Sequence, residues 1–167
     1  MSNPKIKITV EGFGEMSAEL YPDVAPITVE NFMNLVRAKF FDGLIFHRVI
    51  PGFMIQGGGY DSNFDQKDAK SIKGEFRANG VKNDLKHERG VLSMARTNMP
   101  NSASSQFFIM HARAPHLDGQ YAAFGKVYEG LDVIDKIANV ETTVKMWMYQ
   151  DCPRKDVVIK TIEEITE

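Results

Sequence analysis

Between residues 44 and 127 the chain is built of short apolar runs, at 44–50, 53–55, 91–95, 107–110 and 122–127, divided by glycines and polar stretches. Runs of this length suit strands and are too short for buried helices. Ahead of them Ile6, Ile8 and Val10 alternate with other residues, Gly12-Phe13-Gly14 offers a turn, and Met16, Ala18 and Leu20 alternate again. That is the pattern of a β-hairpin. A β-branched stretch over 157–162 predicts a last strand. Only two segments carry the helical period. Pro26 suits a first turn, and Val29, Phe32, Met33 and Val36 form an amphipathic stripe, predicting a helix over about residues 26–38. Leu131, Ile134, Ile137 and Ala138 share a face and predict a second over about residues 131–138. Two isolated helices are too few to cover both faces of a parallel sheet. They could plug the open ends of a barrel. Pattern alone leaves a mainly β barrel or sandwich, and a lipocalin-like or other small barrel fits it as well.

At 167 residues and 43% hydrophobic, the chain suits one domain over 1–167 with a real core. Its 20 basic and 22 acidic residues give a net charge of −2, which argues against a mainly electrostatic nucleic-acid binder. The segment 67–89 holds seven basic and four acidic residues. It reads as a solvated loop face, with a weak polyanion site as the alternative. A single cysteine, Cys152, cannot form an internal disulfide or a CxxC zinc site, and favours a reducing compartment. Acidic neighbours disfavour its thiolate, so it reads as an incidental thiol. Met1-Ser2-Asn3-Pro4-Lys5 enters alternating sequence without an apolar h-region. No run approaches the roughly 18 apolar residues of a membrane span. The expected address is the cytoplasm.

Two stretches could carry chemistry. In Phe46-His47-Arg48-Val49-Ile50-Pro51-Gly52-Phe53-Met54-Ile55-Gln56-Gly57-Gly58, Arg48 stands within an apolar run. A strand period of two would put it on one face with Leu44, Phe46 and Ile50. A guanidinium there is costly unless paired, or it lays its stem on apolar surface and its head in water. In Ser105-Gln106-Phe107-Phe108-Ile109-Met110 an amide adjoins two aromatics. Taken alone, Phe53, Phe107 and Phe108 read as plain core.

These two stretches, with Leu117-Asp118-Gly119 and Phe124-Gly125-Lys126-Val127, resemble the cyclophilin family of peptidyl-prolyl cis-trans isomerases over nearly the whole chain. The resemblance implies a closed antiparallel eight-stranded β-barrel capped by two α-helices. It implies rotation of X-Pro bonds without a cofactor or metal, acting on proline-containing peptides and unfolded client proteins, in a monomer that binds neither nucleic acid nor membrane. Position by position, Arg48 matches the catalytic arginine, and Gln56 the glutamine that supports it and the substrate carbonyl. Phe53, Met54, Phe108 and Leu117 match the walls of the proline pocket, while Ala95 and Gln106 match lining positions. Arg96 stands where the family usually has an asparagine whose backbone binds substrate. His116 stands where many members have tryptophan, a residue linked to tight cyclosporin binding, and Tyr121 where many have histidine on the pocket wall. Weak cyclosporin binding is the expectation.

Other readings draw on less. The four histidines, His47, His87, His111 and His116, lack a metal-binding spacing, and Gly57-Gly58-Gly59 lacks the Gly-Lys-Ser/Thr of a phosphate loop. A proline-motif binding module would use the same pocket. Arg48 favours the enzyme, since holding a proline ring needs only the apolar wall.

Overall fold

The computed structural model describes residues 3–166, so that Met1, Ser2 and Glu167, the ends of the domain expected over 1–167, lie outside the described residues. The first hairpin forms as its alternation predicts. Strands β1 (Lys5–Val10) and β2 (Gly14–Leu20) bury Ile6, Ile8, Val10, Met16, Ala18 and Leu20 on one face. Helix α1 (Pro26–Arg37) starts with its proline in the first turn and buries Val29, Phe32, Met33 and Val36. Strands β3 (Arg48–Ile50), β4 (Met54–Gly57), β5 (Val91–Met94), β6 (Phe107–Met110) and β7 (Ala123–Glu129) follow, then helix α2 (Leu131–Ala138), strands β8 (Thr142–Lys145) and β9 (Tyr149–Pro153), and β10 (Ile159–Glu164).

Eight strands form one antiparallel sheet in the order β10-β1-β2-β7-β5-β6-β4-β3, and β8 pairs with β9 alone. The sheet is curled but open, which corrects the closed barrel expected from sequence. Between its edge strands the contact is too short to be a ladder. Phe46 N–H donates to Val157 O at 2.9 Å and Ile159 N–H to Leu44 O at 2.8 Å, around a single bridge between Ile45 and Val158. Beyond that bridge β3 runs for only three residues.

Inside the curl, Phe32 of α1 meets Phe41, Phe107 and Phe124 with ring centroids 5.0, 5.4 and 5.1 Å apart. Burying each such ring contributes about 2–3 kcal/mol. The inner faces of both helices join this core. A second, smaller apolar cluster, around Met54, Phe108, Met110 and Leu117, lies apart from it.

The segment 67–89 is largely irregular, as expected, but it is pinned. Glu75 is 3% exposed and accepts from Thr28 N–H at 2.6 Å and Thr28 Oγ1–H at 2.7 Å, covering open donors in the first turn of α1. Asn83 Nδ2 donates to Glu75 O and Ala123 O, both at 2.9 Å. Two of its cations are in ion pairs, Arg77 with Asp84 and Arg89 with Asp135.

Candidate active site

Gly52, at φ 79°, closes the turn between β3 and β4 and sets Arg48 opposite Gln56. Gln56 in turn faces Phe108 on β6, and Phe108 faces Ser93 on β5. The row Arg48, Gln56, Phe108, Ser93 thus crosses four strands. The neighbouring row, Val49, Ile55, Ile109 and Leu92, belongs to the inner core. Arg48 therefore does not share a face with Leu44 and Phe46, as a single strand over 44–50 would require. Those two side chains lie in the inner core, whereas Ile50 packs on the smaller cluster. The chain is not in strand conformation at His47, so the alternation is not carried through it.

Above this row lies a cleft of about 150 Å³. Phe53, Met54, Phe108 and Leu117 give it apolar walls, and Arg48 and Gln56 stand at one side. Arg48 Nη1 donates to Gln56 Oε1 at 3.2 Å, and Gln56 Nε2 donates to Gln106 Oε1 at 3.1 Å. The guanidinium is thereby held by an amide chain and keeps its other donors for a ligand. Gln106 can lie where it does because residue 59 is glycine: a Cβ there would stand 2.3 Å from Gln106 Cγ.

Ala95, Arg96 and Tyr121 complete the lining. The Arg96 guanidinium sits over both the Phe76 and Tyr121 rings, 4.6 and 4.8 Å from their centroids. It donates to Gln120 O at 2.6 Å through Nη2. This side chain fastens residues 95–97 to the 120–121 segment. Gln106 lines the adjoining hollow rather than the cleft. His116 is exposed and lies at the rim, its ring 5.8 Å from that of Phe53.

Sequence reasoning missed what lies behind Phe108. The buried His87 ring stacks on it, with centroids 6.0 Å apart. His87 Nδ1–H donates to Asp118 Oδ1 at 3.0 Å, and Ser93 Oγ–H donates to His87 Nε2 at 2.8 Å. Burial keeps His87 below its ordinary pKa despite the carboxylate beside it. His87 thus sits neutral behind the cleft floor. His47, beside Arg48, is 7% exposed, and burial first, then the Arg48 charge, pushes its pKa down to about 4. Cys152 is buried, and burial raises its thiol pKa.

The chain is similar to known proteins along almost its whole length. The family described as "Cyclophilin type peptidyl-prolyl cis-trans isomerase/CLD" matches residues 5–164. A peptidyl-prolyl cis-trans isomerase of Acinetobacter baylyi is 47% identical over 156 residues, 90% of this chain and 80% of that protein. Peptidyl-prolyl cis-trans isomerase B of Escherichia coli is 42% identical over 158 residues, 89% of this chain and 93% of that protein. Among solved structures, a cyclophilin-type isomerase of Cryptosporidium parvum superposes with a TM-score of 0.84 at 28% identity, over 99% of both chains. The same protein in the presence of the dipeptide Ala-Pro gives 0.83, over 98% of this chain and 99% of that one.

Proposed function

The chain belongs to the cyclophilin-type peptidyl-prolyl cis-trans isomerases and catalyses rotation about X-Pro bonds, and we propose that Arg48 drives that rotation from within the apolar cleft. A peptide bond resists twisting by about 18–20 kcal/mol because the nitrogen lone pair is delocalised into the carbonyl. X-Pro bonds alone keep an appreciable cis population, about 5–30% by context, and interconvert unaided in about 10–100 s. In the twisted state the prolyl nitrogen turns pyramidal and regains its lone pair. A guanidinium N–H aimed at that nitrogen stabilises the twisted amide over both planar forms. The observation that carries this reading is Arg48, held at 3.2 Å by Gln56 beside a wall of Phe53, Met54, Phe108 and Leu117.

An acceleration of about 10⁵-fold requires about 7 kcal/mol. One charge-assisted hydrogen bond supplies about 1.5–3 kcal/mol. The apolar walls supply more by holding the ring still and excluding water, while Gln56, Gln106 and the backbone around Ala95 and Arg96 grip the peptide on one side of the rotating bond. The substrates are proline-containing peptides and unfolded client proteins, and the role is assistance to folding by a cytoplasmic monomer. The test is a protease-coupled assay on a proline tetrapeptide. Arg48→Ala should lower kcat/KM by about 10²-fold, or about 2.7 kcal/mol. Arg48 is only half-buried, so thermal stability should change little. A folded Arg48→Ala protein with wild-type turnover would refute the mechanism.

A further inference from the structure

Four of the seven large apolar side chains exposed among the described residues sit on one hairpin: Val144, Met146, Trp147 and Met148, with Trp147 100% exposed. Met146 and Trp147 also adopt positive φ, 52° and 65°. For residues bearing a Cβ, that backbone is disfavoured relative to glycine. An Asn-Gly pair would suit such a turn with less strain and expose no apolar surface. The tip therefore keeps two features that disfavour the isolated molecule. Its base, by contrast, is held. Tyr149 stacks on Phe64 with centroids 5.1 Å apart, Lys145 Nζ pairs with Asp156 at 3.1 Å, and Cys152 is buried.

Beside the tip lies a hollow of about 310 Å³, lined by His47 and Arg48 together with Met148, Tyr149, Gln150 and Asp151. Arg48 also lines the proline cleft, so the two depressions adjoin across its side chain. We propose that the Met146-Trp147-Met148 tip is a docking surface for the substrate polypeptide, taking apolar side chains within a few residues of the proline held in the cleft. This rests on the isomerase reading above. Thioethers are flexible and polarisable and adapt to varied apolar partners. A tryptophan between two methionines adds a large face of low conformational cost. Such a surface favours unfolded chains of varied sequence over short or polar peptides.

Trp147 is the single tryptophan of the chain, so its fluorescence reports on the tip alone. The probes are two peptides of about ten residues sharing a central Ala-Pro, one flanked by Leu and Phe, the other by Ser and Gln. The apolar peptide should shift Trp147 emission to shorter wavelength and show about ten-fold higher kcat/KM. The double variant Met146→Asn/Trp147→Gly suits positive φ and should fold at least as stably. It should lose the ten-fold preference, yet turn over a proline tetrapeptide within about two-fold of wild type. Retention of the preference by the double variant, or an unmoved emission at saturating apolar peptide, overturns the proposal. So does a dimer in sedimentation that the double variant abolishes, since the tip would then serve a second copy. A wild type that fails on the tetrapeptide overturns the isomerase reading itself, and this inference with it.

Discussion

At the scale of single residues, the cleft is flanked by a histidine that must stay neutral. His47 has a folded pKa near 4 against an ordinary 6.5. The depressed value means that its contribution to stability is complete above about pH 6.5 and is lost as pH falls toward 4. At pH 5 the loss is about 2 kcal/mol. Burial pushes His87 in the same direction. Urea midpoints at pH 7 and pH 5 should therefore fall steeply for the wild type and less steeply for His47→Phe, which keeps the aromatic contact with Tyr60. Equal acid sensitivity in the two would contradict this assignment. His116 offers a second residue-level test. Its exposed ring at the rim gives cyclosporin less apolar surface than an indole would. His116→Trp should tighten the drug about ten-fold, or about 1.4 kcal/mol, with less effect on tetrapeptide turnover; calorimetric titration of both proteins decides. Arg48, Phe53, Met54, Gln56 and Phe108 were legible in sequence because they fall in two unbroken stretches, whereas Ala95, Arg96, Leu117 and Tyr121, scattered outside them, were reached only through the position-by-position resemblance. The His87, Asp118 and Ser93 chain behind them was not legible, since those three are brought together only by the fold.

Among elements, the segment 67–89 shows how an irregular stretch can be structural. Its charge count suggested a solvated face, yet Glu75 is buried at the start of α1 and Asn83 ties it to β7. Glu75→Ala would leave the Thr28 N–H and hydroxyl without their acceptor. It should cost about 3 kcal/mol, measured by chemical denaturation, and should raise proteolytic cleavage within 67–89. A change under about 0.5 kcal/mol would mean that the contact is replaceable. Both helices and the first hairpin were readable from periodicity, because each buries one regular face. The β8–β9 hairpin was not. Its turn holds positive φ with Met146 and Trp147 instead of glycine or asparagine, so the usual punctuation is missing. Arg48 was assigned to the wrong face for a related reason: the run 44–50 looks like one strand, but strand geometry begins only at Arg48.

For the molecule as a whole, the two apolar clusters separate duties. The inner core holds the curled sheet to the helices, and the smaller cluster shapes the cleft on the other face. The reaction proposed breaks no covalent bond and transfers no electron, and Cys152 is buried and lines neither the cleft nor the hollow beside it. Turnover should be unchanged by EDTA or by a thiol-blocking reagent under native conditions, in the tetrapeptide assay. Activity lost to a chelator and regained with a metal would contradict that. The closed barrel that the resemblance implied is an open sheet, because its edge strands β3 and β10 approach each other only at the single bridge between Ile45 and Val158, a long-range closure that the strand pattern does not encode. The row that carries Arg48, Gln56, Phe108 and Ser93 has a kinetic corollary. Its members are scattered from position 48 to position 108 and meet only when four strands are in register. No early hairpin or collapsed globule can possess the site, and non-local pairing of this kind is slow to form. In a refolding experiment, regained turnover would then date the moment at which the last of those strands locks into place.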